Sequence, residues 1–202
     1  ADRNGQAGGA TQFPRVYSKG TEVTLTAEQT VGANQFKEWL KNGEPAGTEP
    51  TVTVTMDYDR TLRAVYEPIP VTLTVASRDP DSGVTVTLNP ADQNGQAGGT
   101  TQFTRVYSKG TEVTLSAKQS VGANQFKQWL KNGVPVGTKP TVTLTMDYDR
   151  TLRAVYEPKP VTLTVASRAP DSGVTVTLSP ADVNGQAGGT TQFTRVYSKG
   201  TE

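Results

Sequence analysis

Apolar and polar residues alternate along most of this chain. Val71, Leu73 and Val75 fall on one side of an extended segment and Thr72 and Thr74 on the other, and Val84-Thr85-Val86-Thr87-Leu88 repeats the pattern. A period of two is that of a half-buried β-strand, because successive side chains of a strand point to opposite faces. The same alternation predicts strands over 101–107 (TQFTRVY), 111–117 (TEVTLSA), 124–130 (NQFKQWL), 141–146 (TVTLTM) and 150–156 (RTLRAVY). That makes seven strands. No segment carries a sustained 3.6-residue apolar stripe, and Val and Thr, stiff at χ1 and suited to a pleated surface, dominate the periodic regions. Ser108-Lys109-Gly110, Lys131-Asn132-Gly133 and Asp147-Tyr148-Asp149 supply the turn chemistry between strands. Phe126 and Trp129 stand three apart in one strand, so they face opposite sides unless a bulge intervenes. Short strands broken by frequent turns predict an all-β fold, an antiparallel β-sandwich of immunoglobulin-like type without the Cys pair, with a closed barrel as the structural alternative.

The pattern then repeats. Residues 1–90 return as residues 91–180 with 14 positions changed and 76 identical, and 181–202 open a third copy. The fold is therefore read as tandem β-sandwich modules of 90 residues. Alternating prolines at Pro68-Ile69-Pro70 and Pro158-Lys159-Pro160 favour stiff connectors and mark the boundaries. On that register 71–158 is the complete module, 1–68 lacks the first two strands, and 161–202 supplies the first three. The Gly-rich loop 89–99 is expected to be flexible and is the alternative boundary. A chain that opens and stops inside a repeat reads as a window on a longer protein, with head-to-tail strand exchange between identical chains as the other expectation.

Composition narrows the chemistry. There is no Cys and no His, so disulfides, thiolate metal sites and the commonest general base are all missing, and an enzyme is not expected. Net charge is +1, which carries no signature of a nucleic-acid or membrane-surface partner, and no run of apolar residues is long enough for a membrane span. The sum hides an asymmetry: 8 basic and 11 acidic residues in 1–90 against 10 and 6 in 91–180, through changes such as Glu28 to Lys118 and Glu49 to Lys139. Surface drift explains these changes, and attraction between neighbouring modules is the sharper alternative.

The candidate ligands are acidic loops. Asp81, Asp92 and Asn94, with Asp171 and Asp182 in the next copy, place oxygen-rich turns at the two ends of a strand where one hard cation, calcium, could be shared. Turn chemistry alone accounts for the same residues, and Ala169 replaces Asp79 in the second copy. No other cofactor is expected. Asp147-Tyr148-Asp149-Arg150 reads as a hairpin turn with a surface ion pair. Lesser candidates are a carbohydrate-stacking platform of Trp129 with Tyr148 or Tyr107, an outward Thr grid able to order water, and an isopeptide bond involving Lys109 or Lys127 and Asn124.

The stretch KGTEVTLSA, NQFKQWLKNG and KPTVTLTMDYDRTLRAVYE resembles the divergent InlB B-repeat family, also called the bacterial repeat domain, whose members run GT-VTLTA, F-x-x-W and TVTMD-x-D-x-TLTAVF. The resemblance implies a secreted or cell-surface protein whose repeats form a stalk, fibre or adhesion array. It also implies a β-grasp-like fold with a helix, against which the strand count here stands. The expected role is a structural repeat that spaces or presents other domains, its partners being neighbouring modules or identical chains end to end. A multivalent module binding a glycan or a matrix protein is the alternative.

Overall fold

The computed structural model describes residues 1–201, and among them there are twenty strands and no helix. By its contacts the chain divides into residues 1–70 and the residues from Val71 onward.

The fullest set of strands lies in the second unit: β7 (Pro70–Arg78), β8 (Thr85–Asn89), β9 (Gly98–Thr100), β10 (Phe103–Ser108), β11 (Glu112–Ala117), β12 (Ser120–Val121), β13 (Asn124–Lys131), β14 (Val134–Gly137), β15 (Thr141–Thr145) and β16 (Arg150–Pro158). All seven expected strands are present, with short additions at β9, β12 and β14. One sheet runs β10-β7-β16-β13-β12, with β14 also on β13; the other runs β15-β11-β8-β9. Apolar residues from both sheets meet in one buried cluster: Leu73 and Val75 from β7, Trp129 from β13 and Leu152 from β16 face Val86 from β8 and Val113 and Leu115 from β11. Two sheets over one core is the β-sandwich that alternation favours. Counting the seven main strands in chain order, the sheets read 3-1-7-5 and 6-4-2, an order different from the ABED and CFG sheets of an immunoglobulin domain. The first strand, β7, lies parallel to the last, β16, with Leu73 opposite Arg150 and Val75 opposite Leu152. All the other pairings recorded for this unit are antiparallel.

Local chemistry fixes the turns. Asn132 and Gly133, at φ 48° and 87°, form the two-residue loop between Lys131 and its partner Val134. Both central residues of such a hairpin need positive φ, which Asn and Gly accept at least cost. A bulge between Phe126 and Gln128 in the β13–β16 pairing turns the β13 aromatics to one side, so Phe126 and Trp129 are both buried, with ring centroids 5.8 Å apart.

Residues 1–70 hold β1 (Glu22–Thr26), β2 (Thr30–Val31), β3 (Asn34–Lys41), β4 (Glu44–Gly47), β5 (Thr51–Thr55) and β6 (Leu62–Pro68). They form a β1–β5 pair and a β2-β3-β4 sheet with β6 on β3. Residues 8–18, whose equivalents form β9 and β10 in the next copy, carry no strand. Toward the end of the chain, β17 (Pro160–Val165) pairs with β20 (Phe193–Ser198), and β18 (Thr175–Thr177) with β19 (Gly188–Thr190).

Candidate functional site

The acidic loop at Asp92 is closed on itself. Asp92 Oδ1 accepts the backbone N–H of Asn94 at 2.9 Å and of Gln96 at 2.8 Å, while Asp92 N–H donates to Gln96 C=O at 3.0 Å. Asp2 and Asp182 make the same turn in their copies, and all three carboxylates are buried. The loop expected to be flexible therefore has an internal frame. Backbone donors stabilise the ionised form, and the hydrogen bonds from Gln6 and Gln186, the largest influences, hold the Asp2 and Asp182 carboxyls below the ordinary value.

The other two carboxylates expected as calcium ligands, Asp81 and Asp171, lie outside this frame. Asp81 is exposed in the loop between β7 and β8, Asp171 Oδ1 accepts the N–H of Ala169 at 3.4 Å, and Asn94 is held through its backbone. Among the described residues no three acidic side chains converge as a metal cluster. Calcium takes six to eight oxygens, so these turns by themselves offer a small part of a shell.

The Asp147 to Arg150 turn is built on the arginine. Arg150 is buried, donating from Nε to Thr145 C=O at 2.9 Å and from a terminal nitrogen to the Tyr148 hydroxyl at 3.0 Å. Its guanidinium lies 4.1 Å from the Tyr148 ring centroid and 3.3 Å from the Asp147 carboxylate. The ion pair expected at this turn is present, but its arginine is a buried staple; a planar guanidinium satisfies several partners from one position. Asp149 has a separate task. Its Oδ1 accepts the N–H of Thr72 at 2.7 Å and so ties the last turn to the first strand.

The aromatic platform does not form. Trp129 is fully buried and donates from Nε1 to Pro140 C=O at 2.9 Å, and Tyr107 is buried with its hydroxyl on Pro90 C=O at 3.1 Å. Burial and the Asp92 carboxylate push the Tyr107 phenol up to about 12, and burial raises Tyr156. Lys127 lies at the surface, 2.9 Å from Glu157, and Asn124 Nδ2 donates to Asp79 C=O at 2.8 Å. The outward Thr face is real: Thr114 bonds Thr143 across strands at 2.8 Å, and Ser116 bonds Thr141 at 3.2 Å.

Sequence reasoning missed a buried hydroxyl knot. Ser77 Oγ meets Thr101 Oγ1 at 2.7 Å, and Thr101 Oγ1 also accepts the Val84 N–H at 3.1 Å, a contact that recurs at Ser167, Thr191 and Val174. It missed the stacking of Arg105 on Phe103 as well, with the guanidinium 4.6 Å from the ring centroid. Identical Ser and Thr at the same repeat position were the available signal, but surface strands use the same residues.

An apolar difference also separates the copies. In residues 1–70, Leu25, Met56, Leu62 and Tyr66 are half-buried where Leu115, Met146, Leu152 and Tyr156 are buried. In residues 161–202 Val161 and Leu163 are exposed, and a surface depression is lined by both together with Leu178, Pro180 and Tyr197.

The model of the divergent InlB B-repeat domain matches residues 1–70 and 84–160. The chain belongs to the divergent InlB B-repeat family. Neither a curated protein nor a solved structure matches it. The family match resumes at Val84 and so omits β7, which nonetheless sits inside the sheet between β10 and β16.

Proposed function

We propose that the chain is a structural tandem-repeat segment of an extracellular stalk or fibre in a large bacterial surface protein, spacing or presenting other domains. Membership of a surface-repeat family supports this reading, and so do copies whose differences fall mainly at exposed positions such as Lys118 and Lys139. The observation that carries it is the join between repeats in the second unit. A single residue, Lys159, separates β16 from β17, and its N–H is bonded to Ala123 C=O at 2.9 Å. Pro158 and Pro160 on either side fix φ, so one repeat passes into the next with little free backbone. Stiff joins suit a spacer. No helix among the described residues is long and apolar enough to cross a membrane.

Small-angle scattering from chains of two, four and six repeats tests the reading. The maximum dimension should rise in proportion to repeat number, whereas growth like that of a compact globule would overturn it. A second reading, a multivalent adhesion module, draws on the hydroxyl-lined face of β11 and β15. It requires glycan or matrix-protein binding that climbs steeply with copy number; weak binding that only adds in proportion would exclude it.

A further inference from the structure

The first and last strands of the 71–158 module, β7 and β16, lie side by side. They pair in parallel over six facing positions, from Leu73 on Arg150 to Arg78 on Val155. The chain enters β7 at Pro70, before the first facing pair, and leaves β16 at Pro158, beyond the last. Tension along the chain therefore drags the two strands past each other lengthwise. In that geometry the ladder hydrogen bonds, which run between the strands, are strained together, whereas a pull that opens a ladder from one end strains them in turn.

Neither strand can slide alone. β7 is also paired to β10 and β16 to β13, so each is held on both sides. Asp149 Oδ1 accepts the Thr72 N–H at 2.7 Å at the entry end of β7, and Asn124 Nδ2 donates to the Asp79 C=O at 2.8 Å just past its other end. The ladder is also dry. Leu73, Val75, Leu152 and Ala154 are buried in the core, and Ala76 and Val155, which alternate with them, are buried as well. Away from water a hydrogen bond is electrostatically stronger, and no solvent is at hand to replace it when it is strained. At the exit, Pro158, Lys159 and Pro160 pass the load to β17 with little slack.

We propose that the parallel β7–β16 pair is a tensile clamp, giving the repeat a further function: it carries pulling force along the protein without opening. The inference rests on the spacer reading for the direction of the load, which runs along the chain. The clamp itself is a property of one module.

The chain has no cysteine, so pulling handles can be placed at chosen residues of the full chain. Ile69→Cys with Lys159→Cys brackets the module at its two joins and loads β7 and β16 in shear. Ile69→Cys with Val134→Cys pulls instead on the β13–β14 loop, which lies at the entry end of β7 because Lys131 faces Leu152 and Leu152 faces Val75. That pull opens the sheet from one end. Val134 is 63% exposed and has Glu44 at its place in the first copy, so the position tolerates the change. Single-molecule force spectroscopy at one pulling speed should give an unfolding force at least about threefold higher for the first pair, since the ladder shares the load there and yields bond by bond in the second. Equal forces, or a lower force for the first pair, would overturn the proposal. So would a force difference matched by an equal difference between the two variants in unfolding rate in urea without load, because the force would then report stability and not direction. A rod-like scattering series with equal forces would refute the clamp and spare the spacer; a compact series with a high shear force would refute the spacer and spare the clamp.

Discussion

Residues 23–68 and residues 113–158 are near copies, yet only the second has a closed core. Leu152, Ala154 and Tyr156 are buried, whereas Leu62, Ala64 and Tyr66 are half-buried. Their own strands pair alike: β3 with β6 and β13 with β16 share one register, bulge included. The difference is that β7 and β8 pair with β16 and β11, whereas among the described residues no such pair lies on β6 and β1. Local sequence thus determines the hairpins and the bulge, while burial is set by strands whose partners lie far along the chain, as Leu73 of β7 meets Arg150 of β16. The aromatic trio makes the same point from the other side. Phe36, Trp39 and Tyr66 keep ring spacings of 5.9 and 5.8 Å, close to the 5.8 and 5.6 Å of Phe126, Trp129 and Tyr156. Contacts internal to one sheet survive without the lid strands.

The largest expected effect is in the core. Leu152→Ala removes a fully buried side chain and should cost about 2 to 5 kcal/mol, whereas Leu62→Ala at the open face should cost roughly half as much or less. Urea denaturation of both variants at low protein concentration checks the contrast. Equal losses would break it, since they would mean that the first copy finds a cover in solution.

A smaller effect tests the backbone. Gly98 has φ 148°, and a Cβ there would run into the Val86 carbonyl of β8, while a Cβ at Gly8 meets nothing within 4 Å. Gly98→Ala should therefore cost about 1 to 3 kcal/mol. Gly8→Ala should be neutral or slightly stabilising, by up to about 1 kcal/mol, through the unfolded chain. Thermal melts of the two variants give the comparison, and a harmless Gly98→Ala would show that β9 does not pack on β8 as described.

The strands were legible in the sequence because a period of two survives any tertiary arrangement, and Asn132-Gly133 announced its hairpin by the φ values it must adopt. Neighbour order was not. Val71, Leu73 and Val75 say that β7 has an apolar face, but nothing in them says that its partner is β16, 77 positions onward, or that the pairing is parallel. The bulge at Phe126 entered the sequence reading only as a condition, since a strand with one extra residue reads like any other until a partner counts it. Asp92 was picked out for the right chemistry, carboxylate oxygen at a turn. Its visible partners, however, are the backbone N–H groups of Asn94 and Gln96, supplied by the loop itself.

The smallest expected effect sits on the surface. Lys127 and Glu157 approach to 2.9 Å, and Lys37 and Glu67 to 3.5 Å, all four side chains being at least 39% exposed. The Lys127 hydrogen bond, with a smaller one from Gln125, holds the Glu157 carboxyl below its ordinary value of 4.5. A lowered folded pKa places the stabilisation above that ordinary value, and it is lost as pH falls through the folded one. Glu157→Gln should then cost less than about 1 kcal/mol near neutrality in low salt, and the loss should shrink in high salt because exposed pairs are screened. Below the carboxylate range the variant and the parent should converge. Denaturation at neutral and acid pH, each at low and high salt, reads all four corners. The longer Lys37–Glu67 pair should give a smaller loss near neutrality in low salt. A Glu157→Gln loss that persists in acid would mean that the side chain acts through packing along β16 and not through its charge.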